Sequence, residues 1–181
     1  TFFEQRLLLA STNLDPAVIE MSKTNSFGNF TISYPTSPDD ALRFRLRSKQ
    51  LNDLRGMVSG RALYAFATTT EWVITGNDNE GVLTPTSIVP RPESYFGSYD
   101  IEPLTVGDRA MLVEPSGNVV RDFLLTLNPN AEQSRDLTVL CRELFEGLEI
   151  TSWCYTQSPD RMIWVTMSDG TLLSMCFMEE H

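Results

Sequence analysis

Four arginines, each leading an apolar run, recur along this chain at nearly even intervals, and no other feature constrains the fold as much. The runs are Arg6-Leu-Leu-Leu-Ala, Arg61-Ala-Leu-Tyr-Ala-Phe, Arg109-Ala-Met-Leu-Val and Arg161-Met-Ile-Trp-Val, spaced by 55, 48 and 52 residues. A short polar stretch and a second strand-like run follow each one. In Met167-Ser168-Asp169-Gly170-Thr171 the Asp-Gly pair supplies the positive φ of a tight hairpin. Pro115-Ser116-Gly117-Asn118 joins 109–114 to 119–125 in the same way, Thr68-Thr69-Thr70 joins 63–67 to 72–75, and 11–16 separates 7–10 from 17–21. Hairpins recurring at about 50 residues predict stacked antiparallel β-modules of propeller-like form, starting near residues 5, 61, 108 and 160. The whole of 1–181 is expected to be one β-rich region. It begins at Thr1 rather than Met, which suggests a fragment of a longer chain.

One stretch, around 136–146, reads as helix. Asp136 stands as its cap, Gly147 as its stop, and Leu137, Leu140, Leu144 and Phe145 fall on one face. The three prolines of 84–92 exclude a central strand there and predict an edge strand or a rigid connection.

Charge narrows the function classes. The chain carries a net −10, with 14 Lys+Arg against 24 Asp+Glu, which disfavours a free-standing duplex-DNA binder. No apolar run approaches the roughly 18 residues of a membrane-spanning helix, so membrane insertion is not expected. Residues 1–61 hold eight Lys+Arg and six Asp+Glu (net +2), while 62–181 hold six and eighteen (net −12). The basic part centres on Arg43, Arg45, Arg47 and Lys49, interleaved with Phe44, Leu46 and Ser48. Period-two alternation puts the four cations on one strand face. That face is either an interaction surface for an acidic partner or phosphate, or a solvated strand whose charges are offset by carboxylates on its neighbours.

The catalytic inventory is nearly empty, and no enzyme activity, cofactor or metal is expected. His181 is the one histidine and ends the sequence, so a Ser-His-Asp or Cys-His device would lack a fixed base. Cys141, Cys154 and Cys176 have no ligand spacing and read as free thiols of a reduced, intracellular setting, the last two inside apolar strand-like runs where burial is common. No phosphate-binding glycine loop occurs. The segment from Gly76 to Gly81 lacks calcium-loop spacing. The acidic pairs Glu143 with Glu146 and Glu179 with Glu180 read as solvated side chains. Trp72, Trp153 and Trp164 could stack a base or sugar, but each sits in an apolar run that favours packing.

Short elements along the chain carry a resemblance. They are Phe3-Glu4-Gln5-Arg6-Leu7, Phe27-Gly28-Asn29-Phe30, Asp39-Asp40-Ala41, Ser48-Lys49-Gln50-Leu51-Asn52, Glu71-Trp72-Val73 and Leu83-Thr84-Pro85-Thr86-Ser87. Gly97-Ser98, Pro103, Val106-Gly107, Val119-Val120-Arg121-Asp122, Asp136-Leu137-Thr138-Val139-Leu140 and Asp169-Gly170-Thr171-Leu172-Leu173-Ser174 continue them in order. In that order they resemble the tail-hub proteins of short-tailed bacteriophages, also called packaged-DNA-stabilising proteins.

The resemblance implies a structural virion protein of phage or prophage origin with a propeller-like β domain. Such a hub forms a homo-oligomeric ring below the portal, seals in the packaged genome, carries other tail proteins and lines the channel through which DNA passes. Its place would be the virion tail, after synthesis in the host cytoplasm. The family's glycine-rich N-terminal part and its C-terminal part have no counterpart here. Two other classes stay open: a glycan-binding or glycan-hydrolysing tail protein, and a cellular β-propeller interaction scaffold.

Overall fold

The computed structural model describes residues 1–48, 52–77, 81–126 and 134–176, and these are mainly β. Their strands form four antiparallel sheets, each a meander in which consecutive strands are neighbours. The first sheet holds β1 (Phe2–Phe3), β2 (Arg6–Ala10), β3 (Val18–Met21) and β4 (Leu42–Arg45). The second holds β5 (Leu54–Ser59), β6 (Leu63–Ala67), β7 (Glu71–Gly76) and β8 (Ile88–Ser94). The third holds β9 (Leu104–Val106), β10 (Arg109–Val113), β11 (Val120–Leu124) and β12 (Ser134–Asp136), and the fourth β13 (Ile150–Thr156), β14 (Met162–Met167) and β15 (Leu172–Cys176).

The arginine-led hairpins keep a constant phase in these sheets. Each forms the second and third strands: β2–β3, β6–β7, β10–β11 and β14–β15. Local turn chemistry sets them. Gly170 at φ 88° receives the chain after Asp169, its N–H donates to Met167 O at 3.0 Å, and Met167 N–H donates to Thr171 O at 2.9 Å. Gly117 at φ 77° does the same between β10 and β11, donating to Glu114 O at 2.8 Å. A side chain would be strained at either position.

The chain divides into two compact units. One comprises Thr1–Ser98 with Leu125–Leu127, the other Tyr99–Leu124 with Asn128–His181. Each has its own core, built where the alternating apolar positions of two sheets meet. In the first, Leu8, Ile19 and Met21 of one sheet pack with Leu63, Ala65 and Ile74 of the other. In the second, Met111, Val113 and Val120 pack with Ile150, Ile163 and Val165. Burying such faces supplies most of the driving force for this architecture, at about 25 cal/mol per Å² of apolar surface.

The proline-rich stretch yields β8, an edge strand as expected, with Pro90 and Pro92 facing Ile74 and Trp72 in register. The missing N–H donors are harmless at an edge.

The expected helix around 136–146 does not form. Asp136 ends β12, paired with Arg121, and its carboxylate accepts both the N–H and the hydroxyl of Thr138 at 2.8 Å. That local bond turns the chain where the first helical turn would stand. Downstream, the N–H groups of Cys141, Leu144, Phe145 and Leu148 each reach back three residues rather than four, giving only a 3₁₀ turn at Arg142–Leu144. The apolar spacing therefore never becomes one face. Phe145 is buried, but Leu140 is 95 % exposed and Leu144 52 %. No helix among the described residues is long and apolar enough to cross a membrane.

Candidate functional site

Of the expected basic strand face, Arg43 and Arg45 lie on β4, the edge strand of the first sheet, while Arg47 follows its end. Leu42 and Leu46 are buried, Phe44 is half-buried, and Arg43, Arg45 and Arg47 are exposed, so the alternation puts the cations outward. Lys49 lies outside the described residues. Two of the cations are matched locally. Arg43 donates through Nε to Glu20, its cross-strand partner, at 3.0 Å and through Nη2 to Asp15 at 3.1 Å. Arg45 donates to the other oxygen of Asp15. Arg47 makes no ion pair among the described residues. Exposed pairs of this kind contribute at most about 1 kcal/mol each. Charges on an edge strand also discourage pairing with stray strands.

Four buried charged residues escaped the sequence reading of sites: Arg6, Asp40, Glu71 and Asp122. Each lies in one of the short elements that carry the resemblance. Arg6 starts β2 and donates to the carbonyls of Ser22 (2.8 Å), Asp40 (2.6 Å) and Pro38 (2.8 Å), pinning the long β3–β4 connection to the sheet. Asp40 accepts from Lys23 Nζ at 2.7 Å, Ser33 Oγ at 2.5 Å and Ser37 N–H at 2.9 Å. The Lys23 ammonium first, then the Ser33 hydroxyl and the Ser37 N–H, hold its carboxyl well below the usual carboxylate range.

Glu71 opens β7 and accepts from Ser94 Oγ at 2.6 Å and Gly97 N–H at 2.7 Å, which ties down the exit of β8. Asp122, at the centre of the third sheet, accepts from Arg109 Nη1 at 2.5 Å and Arg135 N–H at 2.7 Å. These groups spend their hydrogen-bonding capacity on the fold itself. They act as fixings of the fold.

The other candidates are dispersed. Glu143 and Glu146 are exposed, while His181, Glu179, Glu180 and the centre of the Gly76–Gly81 loop lie outside the described residues. Trp72 packs in the first core, but Trp153 and Trp164 are only half-buried. Cys154 and Cys176, expected in buried runs, are exposed free thiols. Register explains the difference: Cys154 pairs with Trp164 and Cys176 with Met162, on the outward face of the fourth sheet, while Ile163 and Val165 point inward. Among the described residues no three His, Cys, Asp or Glu side chains gather where a metal ion could sit.

The second unit carries a concave feature. Residues 100–105 and 151–153 line an open cleft of about 550 Å³ between the lead-in to β9 and the start of β13. Trp153 lines it, and its indole N–H donates to Glu102 O at 2.8 Å, which fixes the ring across the cleft. Glu102, Thr105 and Ser152 are exposed along it.

No protein-family model matches the chain, and none of the curated proteins matches it.

Proposed function

We propose that this chain is a structural protein of a short-tailed phage virion, a tail-hub component that assembles as a ring below the portal and helps retain packaged DNA. The reading starts from the ordered resemblance over nearly the whole sequence. The observation that carries it is the constant phase of the repeat, in which every arginine-led hairpin supplies the second and third strands of its own sheet. Within each unit two successive meander sheets meet through alternating apolar faces, which supports a propeller-like β domain.

The charge distribution fits such a role. A net −12 over residues 62–181 repels phosphate and would keep a DNA channel from adhering to the genome passing through it. On β4, Arg43 and Arg45 are already matched by Asp15 and Glu20, so docking of an acidic ring neighbour falls chiefly to Arg47. Such a contact would orient subunits more than it would bind them.

A genome-retention assay tests the role. Particles assembled without the protein are expected to lose packaged DNA, and particles supplied with it to keep it. Full retention in its absence would sink the reading.

A further inference from the structure

We propose that the cleft lined by residues 100–105 and 151–153 is a binding site for a neutral saccharide. The site is built within the second unit alone and does not depend on the tail-hub reading.

Three observations converge on that ligand class. First, the cleft presents an aromatic wall whose orientation is fixed. Trp153 is half-buried against the second core, and its N–H is held by Glu102 O at 2.8 Å, so the ring needs little ordering on binding. The apolar C–H face of a pyranose is what such a ring stacks on. Second, the rest of the lining is mixed: Ile101, Pro103 and Leu104 stand beside polar side chains that can bond a sugar. Thr105 and Ser152 offer hydroxyls, and the Glu102 carboxylate, which makes no ion pair among the described residues, can accept from adjacent sugar hydroxyls. An apolar ligand would strip water from that carboxylate without replacing its hydrogen bonds.

Third, charge excludes the acidic alternatives. Asp100 and Glu102 stand along the cleft in a chain of net −10, so uronic or sialic sugars and phosphorylated ligands are repelled. The volume, about 550 Å³, lies within the range of small-ligand sites, and the open form suits a short oligosaccharide lying along the surface. A basic peptide is the main competitor. The hydroxyls and the aromatic wall favour the sugar, because a peptide cation would be drawn to the carboxylates alone.

The test is titration of the whole chain with neutral trisaccharides of glucose, galactose or mannose. It is read by saturation-transfer NMR and by Trp fluorescence, with a uronic-acid trisaccharide and trilysine as comparison probes. At least one neutral trisaccharide should bind saturably. Trp153→Ala should weaken it roughly tenfold or more, and Trp153→Phe should restore part of the loss. Because Trp153 also packs on the core, Glu102→Gln and Thr105→Ala, both at exposed positions, provide a second arm. Each should weaken binding severalfold while leaving the unfolding midpoint in place. No saturable signal from any neutral trisaccharide, binding that survives all these changes, or preferential binding of trilysine or the acidic sugar would overturn the proposal.

Discussion

The Arg109 guanidinium lies 2.5 Å from an oxygen of Asp122, a side chain with no solvent exposure at all. Arg109 is the third of the four recurring arginines, and Asp122 stands on the other strand of the same hairpin. Both side chains point toward the second core, beside Met111. A buried carboxylate is tolerated there only because it is paired and hydrogen-bonded on both oxygens.

Removing one partner should therefore cost much more than removing both. Arg109→Met leaves Asp122 buried with the Arg135 N–H and a distant Arg135 guanidinium at 3.6 Å, and should destabilise the second unit by about 3 kcal/mol. The double change Arg109→Met with Asp122→Leu should recover a large part of that loss. Urea unfolding of the unaltered protein, Arg109→Met, Asp122→Leu and the double variant measures the difference; a double change costing as much as the sum of the singles would contradict it.

Asp40 predicts a specific acid sensitivity. Its carboxyl is depressed from an ordinary value of 3.8, chiefly by the Lys23 ammonium. Between the folded and unfolded titrations the unfolded chain binds more protons. The stabilisation is thus complete above about pH 5 and is lost progressively as pH falls below about 4. Asp40→Asn should give a flatter dependence of unfolding midpoint on pH across that acid range. Parallel curves for the two proteins would show that Asp40 does not carry the effect.

Glu71 closes a loop rather than a core. With Ser94 Oγ and Gly97 N–H both on its carboxylate, Glu71→Ala leaves a buried N–H unsatisfied at a cost of about 1–3 kcal/mol. Hydrogen exchange should speed up most at Gly97 and its neighbours, with β6 far less affected. Uniform acceleration through the first sheet pair would argue against this local role.

How much of this was legible beforehand depended on distance along the chain. The four hairpins could be read because each turn is decided within a few residues, as at Asp169-Gly170. The edge position of β8 could be read because proline lacks a donor wherever it stands. The helix was misread because apolar spacing alone does not reveal that Asp136 would bond Thr138 and turn the chain. The buried charges were invisible because their partners are remote: Arg6 reaches Pro38, and Glu71 reaches Gly97. The cleft has the same origin, since Trp153 meets Glu102 across 51 residues that only the pairing of β13 and the approach to β9 brings together.

On the basic face, single charge reversal separates assembly from folding. Reversing Arg43 or Arg45 would also break pairs with Asp15 and Glu20, so those changes confuse the two effects. Arg47→Glu leaves these pairs intact and should change stability by less than about 0.5 kcal/mol. It should nonetheless slow ring formation, with the effect shrinking as salt is raised. Unchanged assembly kinetics would remove Arg47 from the interface.

Assembly is tested by light scattering of the protein, alone and mixed with portal rings. A closed multimer, or a ring that forms only on the portal, is the expected result. A monomer whose mass is unaltered by portal rings would contradict it.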